Sequence, residues 1–481
     1  MTTLTILSFS QLQYLLLSLS RDDIASLQRD IAEALREYST GSQYQGCSAG
    51  YQPRRTAITR LNGCTTLFMP ATTGQMLGIK MISLQDWGKA GSAVESGSSD
   101  ASSSQQQQHR QRSANRRASS TDPVERATSS RRNSVTSMAS SNSDSSSAET
   151  DEFGLRKGPA SVNDQGLSET MGAWPGVGTR DTSPQGSVVL LNSEGLPFGL
   201  INALDLTAFR TALAAMLLFN KRHKVHTMTV FGAGRQAYWH IRLALCLRGD
   251  HIKRVYIINR SFDRAAKLLR EIYSPENSGW RGDVKFTALS TDFIEYKRIL
   301  ASAVRKSDAI FCCTPSTEPL FPAELLTSRE GRRKGRLICA VGSYKPHMTE
   351  LHPDILRDEV MVQAPQPRFQ KHTAPSGVIV VDSLGAALKE AGEIAQAEIT
   401  PRQMVELGEL LMVREVTSQE SASSDERDKQ REKEEANLRK WIQKGNVIYK
   451  SVGLGLMDVV TGGDLVTLAQ QRGIGTLVEN F

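Results

Sequence analysis

The sequence predicts an α/β protein built on a doubly wound parallel sheet, and three observations carry that expectation. Short apolar runs alternate with amphipathic stretches from about Val225 to Asp382, the pattern of parallel strands with helices on both faces. A glycine-rich turn, Gly232-Ala-Gly234-Arg-Gln-Ala237, separates the first such run from the first such helix. Of 481 residues, 39% are apolar, enough for a sizeable core, and no apolar run reaches the ~18 residues that span a bilayer.

The elements follow in order. Leu7–Leu19 is apolar but interrupted by Ser8, Ser10, Gln11, Gln13 and Ser18, with no basic residue before it, so neither a membrane span nor a secretory leader is expected. Ser20 precedes Arg-Asp-Asp and then Ile24, Leu27, Ile31 and Leu35, an N-capped amphipathic helix. Thr65–Met69 and Leu77–Leu84 read as strands, with a turn over Pro70–Gly74. From Gly91 to Ser147, twenty of 57 residues are Ser and large apolar residues are almost absent. Such a segment cannot offset its ordering entropy, so a disordered insertion is placed at 91–185. Val188–Leu191, a turn at Asn192–Gly195 and Phe198–Ile201 form a hairpin signal. Asp205–Lys221 reads as a helix carrying Leu206, Phe209, Leu213, Met216 and Leu217. The alternating region supplies strands at Thr227–Phe231, Arg254–Asn259, Ala309–Cys313, Leu337–Val341, Val360–Gln363 and Val378–Asp382, with helices at Gln236–Leu247 and Phe262–Tyr273. The charged run Thr417–Lys440 is either a solvated helix or a loop, and the domain boundaries treat about 417–440 as a disordered loop.

Composition narrows the function. Net charge is +7, from 58 basic and 51 acidic residues, without a basic stripe interleaved with aromatics, so no nucleic-acid partner is expected. The six cysteines show no C-x-x-C spacing, and Cys312 and Cys313 are adjacent, which points to reduced, buried thiols in a cytoplasmic protein without a metal site. The turn at Gly232 fits a dinucleotide fingerprint. Gly232 permits the tight turn, Gly234 lets backbone approach a pyrophosphate, and Ala237 lets helix and strand pack closely. The second strand ends in Asn259-Arg260-Ser261 with no acidic residue for the ribose hydroxyls. Asn259 can bond the ribose, and Arg260 with Ser261 can hold a 2′-phosphate, so NADP(H) is preferred over NAD(H).

Motifs spread along the chain resemble the ornithine cyclodeaminase/mu-crystallin family. They include Gln52-Pro-Arg-Arg55-Thr56, Met69-Pro70 with Gly78-Ile-Lys80, Phe209-Arg210-Thr211-Ala212, the Gly232 turn with Gln236, and Asn259-Arg260-Ser261. They continue through Ala340-Val-Gly342-Ser343 with Glu350-Leu351, Val381-Asp382-Ser383 with Glu390, Glu406-Leu-Gly408 and Ser451-Val-Gly453. Within the family the resemblance points to a fungal, proline-utilization type. It implies a Rossmann domain at 223–385 inserted in a mixed α+β substrate and dimerisation domain. That domain is formed by 1–90 and 186–222 together with a returning C-terminal segment, 386–481, and the protein is expected to be a homodimer.

The resemblance also implies site residues. Arg55 matches a carboxylate-binding arginine, with Arg54 as its neighbouring rival. Lys80 matches the lysine near substrate, and Arg210 the arginine shared by substrate and cofactor. A lysine crowded by two arginines and partly desolvated has a lowered pKa and serves as acid or base. Cofactor contacts are expected from Arg210, Thr211, Gly232, Gly234, Arg235, Gln236, Asn259, Arg260, Ser261, Thr314, Val341, Gly342, Ser343 and Ser451. Cys312 and Cys313 are expected to fill the sheet core, and His240 to pack inside its helix. One departure matters. Cyclodeaminating members carry an Asp shortly after the Val-Gly pair, where this chain has Tyr344. The expectation is therefore an NAD(P)-dependent oxidoreductase of a small α-imino or α-amino acid. The alternatives are a lyase turning ornithine into proline plus ammonia, and a cofactor-dependent binding protein without catalysis. Arg116-Arg-Ala-Ser119 and Arg131-Arg-Asn-Ser134 fit a basophilic kinase pattern, making such a kinase an expected partner at Ser119 and Ser134.

Overall fold

Two sheets organise the chain in a computed structural model that describes residues 3–41, 52–85, 185–361, 377–412 and 426–481. The expected Ser-rich insertion, with Ser119 and Ser134, lies outside the described residues, except that Gln185 already begins a strand.

The first sheet contains β1 (Leu4–Leu7), β2 (Thr56–Thr59), β3 (Cys64–Thr72), β4 (Leu77–Gln85), β5 (Gln185–Leu191) and β6 (Pro197–Asn202), in the spatial order β1-β6-β5-β4-β3-β2. Neighbours are antiparallel except β1 and β6. The β5–β6 turn closes as its sequence requires. Gly195 takes φ +80°, and the Asn192 side chain accepts from the backbone of Glu194 and Leu196. β3 runs on through Pro70 to Thr72, beyond the expected turn. β2 stops pairing at Phe68, so Pro70 lies where β3 has a neighbour on only one side, and its missing N–H leaves no ladder bond unmade.

The second sheet contains β7 (Thr227–Phe231), β8 (Arg254–Ile258), β9 (Lys285–Leu289), β10 (Ala309–Cys312), β11 (Leu337–Ala340), β12 (Ile379–Val381), β13 (Met404–Glu406) and β14 (Val447–Lys450). All pairs are parallel, in the order β13-β12-β14-β11-β10-β7-β8-β9. The winding reverses between β7 and β10, which opens a crevice at the carboxyl ends of those strands. Finally β15 (Thr476–Val478) returns to pair antiparallel with β1. The fold is thus α/β, with a doubly wound parallel sheet and a second, mixed sheet.

Several expectations change. The parallel sheet does not end at residue 385, because β13 and β14 come from beyond it, and β14 sits in the sheet interior between β11 and β12. Val447-Ile-Tyr-Lys450 is buried along its whole length, so its apolar character wins it a central place. No strand forms at Val360–Gln363. Val360 instead lies in the last turn of the helix Pro353–Met361 with its side chain in the core, and residues 362 and 363 lie outside the described residues. The charged run is helical from Glu426 to Lys444 rather than a loop. Leu438, Trp441 and Ile442 give its carboxyl end an apolar face to bury. The interrupted apolar run near the amino terminus splits into β1 and a helix, Phe9–Leu17, capped by Ser8. Among the described residues no helix is long and apolar enough to cross a membrane.

Two helices connect the sheets to the site. Ala203–Phe219 and Gly455–Gln471 are apolar on almost every side, as helices surrounded by protein must be. Each carries an acidic residue in its first turn that is fully buried, Asp205 and Asp458.

Candidate active site

A cavity of about 200 Å³ lies at the carboxyl edge of the parallel sheet, where residues following β10, β11 and β14 meet β3, β4 and the Ala203–Phe219 helix. Strand alternation builds its apolar wall. Lys80, Ile82 and Leu84 share one face of β4, and Leu67 and Met69 share the facing positions of β3, with Lys80 opposite Met69 and Ile82 opposite Leu67. A lysine on that face is buried by its neighbours. It is 1% exposed.

Lys80 Nζ donates to Asp458 Oδ1 at 2.8 Å, and Arg210 Nε donates to the same oxygen at 3.1 Å. Burial pushes the Lys80 ammonium down to about 8; Asp458 opposes that shift, while Arg210 and Arg55 reinforce it. Arg55 Nε donates to Glu390 Oε1 at 2.6 Å, and the pair is completed by a second contact between the guanidinium and Oε2. Arg54 is exposed, whereas Arg55 lines the cavity, which separates the two candidates. Arg55, Lys80 and Arg210 therefore converge on one cavity. None of the described residues that line it is acidic.

The dinucleotide side is assembled from strand ends. Gly232 takes φ +111°, and a Cβ there would stand 2.8 Å from the Cys313 carbonyl oxygen, so only glycine fits. A Cβ on Gly234 would meet nothing within 4 Å, which leaves the turn open for a ligand's approach. The Arg235–Arg248 helix points its amino terminus at this opening, and Gln236 Oε1 beside it is buried without a hydrogen-bond partner. An unsatisfied acceptor, an open glycine turn and a helix amino terminus fit a dinucleotide. Asn259 and Ser261 follow β8 at the same edge. The Asn259 amide donates to the Ser261 carbonyl at 2.8 Å, the Ser261 hydroxyl caps the Phe262–Ile272 helix, and Arg260 between them is exposed. Thr211, Gln236, Val341, Gly342 and Ser451 line the cavity.

Three expected cofactor residues have their side chains engaged by carboxylates. The Ser343 side chain is fully buried and binds Glu393 and Lys450. The Thr314 hydroxyl donates to Glu350 at 3.2 Å rather than facing the cavity. The Arg235 guanidinium is held by Asp205 (Nε–Oδ1 2.6 Å, Nη2–Oδ2 3.0 Å) and by Glu271 (2.5 Å), which leaves its backbone for a ligand. The cause is the same each time: a carboxylate behind the wall claims the polar group. Cys313, expected in the sheet core, lines the cavity, while Cys312 is in the core. His240 is buried against Phe311, with its pKa pushed down to about 4 by burial.

The motifs contain Glu350, Asp382 and Glu390 without assigning them a role, and the anchoring they provide is what sequence reasoning missed. Asp382 accepts from Ser451 Oγ (2.8 Å), Val452 N (3.0 Å) and Gly453 N (2.6 Å), fixing the loop after β14. Glu350 accepts from Thr314 N and Gly342 N, both at 2.7 Å, and from Ser343 N at 3.2 Å, joining the loops after β10 and β11. Burial raises Glu350 to about 7, against the lowering effects of Lys450 and the backbone donors. Glu393 and Lys450 lie 3.3 Å apart beneath them. The available signal was an acidic residue inside an otherwise apolar helix, as at Asp458, which requires a buried partner. Among the described residues no group of His, Cys, Asp and Glu is arranged to hold a metal ion.

The profile of the ornithine cyclodeaminase/mu-crystallin family matches residues 178–411. Just under half of the chain is thus similar to that family. The chain is 28% identical over 305 residues to an uncharacterized protein of Saccharomyces cerevisiae, covering 59% of this chain and 74% of the relative. It is 28% identical over 302 residues to a Δ1-pyrroline-2-carboxylate reductase of Bacillus cereus, covering 61% of this chain and 74% of that one. Its fold is similar to that of the Thermococcus litoralis Δ1-pyrroline-2-carboxylate reductase solved with NADH and L-proline. There the TM-score is 0.56, the identity 18%, and the coverage 99% of this chain and 100% of that one.

Proposed function

We propose that this protein is an NAD(P)-dependent reductase of a small α-imino acid, a cyclic imine carboxylate such as pyrroline- or piperideine-carboxylate, with NADP(H) preferred. The observation that carries the proposal is the convergence of Arg55, Lys80 and Arg210 on an apolar cavity beside an open glycine turn. A carboxylate suits forked guanidinium groups. Arg210 is held through Nε by Asp458 and through Nη1 by Met457 Sδ, which leaves Nη2 for the substrate, and Arg55 exchanges Glu390 for the substrate carboxylate. Leu67, Met69, Ile82 and Leu84 pack the substrate ring and exclude water. Lys80 holds the proton that the imine nitrogen takes on reduction. The bound dinucleotide supplies the hydride for the imine carbon, so imine, hydride and proton together give the amine.

The lining argues against ornithine as substrate. A second ammonium group would need a carboxylate, and the carboxylates nearest the cations, Asp458 and Glu390, are already paired with them. Tyr344 lines the cavity where cyclodeaminating relatives are expected to carry an Asp. The proposal extends to a homodimer of the proline-utilization type in the cytoplasm, tested by gel filtration and cell fractionation. It also extends to phosphorylation at Ser119 and Ser134, tested by phosphopeptide mapping.

The decisive experiment follows absorbance at 340 nm with NADPH and pyrroline-2-carboxylate, with ammonia assayed in a parallel ornithine reaction. NADPH consumption without ammonia is expected. Ammonia from ornithine without net NADPH loss would replace the reductase with the lyase. No change in either, together with tight NADPH binding, would leave a binding protein.

A further inference from the structure

Asp458 stands apart from the residues that reach the cavity. It occupies the first turn of the Gly455–Gln471 helix, is fully buried, and does not line the cavity, so it cannot touch a substrate. Yet its Oδ1 receives both Lys80 Nζ and Arg210 Nε, while Oδ2 is buried without a hydrogen-bond partner. Gly453 closes the arrangement from the other side. Its φ is +95°, and a Cβ there would stand 3.0 Å from Arg210 Nη2. The guanidinium is thus held between a carboxylate and bare backbone.

We propose that Asp458 is the positioning residue of the site, binding Lys80 and Arg210 to one carboxylate oxygen so that the ammonium stays charged and both groups keep a fixed spacing. Lys80 comes from β4, Arg210 from the Ala203–Phe219 helix and Arg55 from the segment before β2, and all three are positive. Burial and both arginines disfavour the Lys80 charge, and Asp458 favours it both as an opposite charge and as a hydrogen-bond acceptor. Without Asp458 the lysine releases its proton at a lower pH and has none to give near neutrality. Because both cations meet at Oδ1, a carboxylate held by Arg210 and a nitrogen facing Lys80 belong to one rigid spacing.

The catalytic consequence rests on the reading of Lys80 as the proton-handling group, and the structural one does not. The test therefore has two readouts. In the first, kcat for NADPH-dependent imino-acid reduction is followed against pH for wild type, Asp458→Asn and Asp458→Glu. The wild-type rate is expected to fall above about pH 8. Asp458→Asn is expected to move that fall at least one pH unit lower and to lose more than tenfold at pH 8. Asp458→Glu should keep most of the wild-type profile at reduced kcat. In the second, urea unfolding midpoints compare Asp458→Asn, Lys80→Met and the double variant. Asp458→Asn leaves two buried cations, Lys80 and Arg210, without their shared carboxylate, and Lys80→Met removes one of the two, so the double variant should lose less than the sum of the single changes. A superimposable pH profile for Asp458→Asn, or strictly additive midpoint shifts, would overturn the proposal. Wild type inactive on imino acids with non-additive midpoints would refute the functional reading and support the coupling of Lys80 to Asp458.

Discussion

Replacing Asp205 with Asn should destabilise the protein by far more than replacing Glu271 with Gln, although both carboxylates bind the same guanidinium. Asp205 is fully buried and receives Arg235 Nε at 2.6 Å, Arg235 Nη2 at 3.0 Å and the Trp239 indole N–H at 3.2 Å. Glu271 receives only Nη1, and its side chain is 36% exposed. Removing one partner from a buried ion pair costs about 3–5 kcal/mol. Two features reduce that figure here: Asn retains an acceptor for Nε and the indole, and Arg235 keeps Glu271. About 2–3 kcal/mol remains, because the new amide N–H faces Nη2 and two donors then oppose each other. At roughly 2–4 °C per kcal/mol for domains of this scale, Asp205→Asn should melt roughly 4–12 °C below wild type. The Arg235–Glu271 pair is partly in solvent and worth about 1 kcal/mol, so the shift for Glu271→Gln should stay within roughly 4 °C. Scanning calorimetry at one pH and ionic strength measures both. Asp205 joins the helix bearing Arg210 to the helix that opens the glycine turn, so NADPH affinity, read by fluorescence titration, should also fall severalfold in Asp205→Asn. Equal melting shifts for the two variants, or an Asp205→Asn protein within 2 °C of wild type, would refute the reasoning that burial decides the value of these pairs.

Four further outcomes are expected. Gly232→Ala must hold φ +111° with a Cβ 2.8 Å from the Cys313 carbonyl, so it should raise the NADPH dissociation constant at least tenfold in a fluorescence titration. Because the folded Lys80 binds its proton less tightly than the unfolded chain does, its contribution to stability rises with pH from about 8 to 10.5; Lys80→Met should remove that rise, of at most about 1.4 kcal/mol per pH unit, from urea titrations at pH 8 and pH 10. Glu390→Gln frees Arg55 from a partly exposed pair worth about 1 kcal/mol, so initial-rate kinetics should show KM for the imino acid several-fold lower with kcat little changed. Arg260→Ala should weaken NADPH at least tenfold while leaving NADH within twofold, since the exposed guanidinium has a 2′-phosphate to meet only in the former.

Much of the fold was legible because its signals are local. The Ser20 cap, the Asn192–Gly195 turn and the apolar cores of β7, β10 and β11 each lie within a few residues, and each stands where the sequence places it. β14 was harder to read. Four residues after a charged helix carry too little period to be told from a helix end, and only the gap between β11 and β12 makes them a strand. The cationic side of the site was legible through its motifs, which also carry Glu350, Asp382 and Glu390, but the pairings of its carboxylates, and Asp458 itself, were not. Lys80 and Asp458 are 378 residues apart, and Arg210 and Asp458 are 248 apart. No spacing rule spans such distances, and an acidic residue on a helix is a solvated charge until tertiary contacts bury it. The hydroxyls of Thr314 and Ser343 were illegible for the same reason: position at a strand end shows that a residue is near the ligand edge, while its hydroxyl goes to whichever acceptor is buried behind it.

The placement of charge explains how a site so rich in cations remains folded. Arg55, Lys80, Arg210 and Arg235 line the cavity, and each has a carboxylate partner in Glu390, Asp458 or Asp205. Four positive groups facing one another in an apolar wall would repel, and the carboxylates behind them offset that repulsion. The pairs are unequal in a way that matters for binding. Asp205 and Asp458 are fully buried, so they hold Arg235, Lys80 and Arg210 whether or not a ligand is present. Glu390 is 22% exposed, and its guanidinium partner 25%, so water and ligand can compete for that pair. An incoming carboxylate thus has one exchangeable partner, Arg55, and one fixed point, Arg210. The fixed point sets where the anion lies relative to Lys80, and the exchangeable one sets how tightly it is held. It follows that changes at Glu390 should appear in KM and changes at Asp458 in kcat and its pH dependence, a division that equal effects of both substitutions on both constants would contradict.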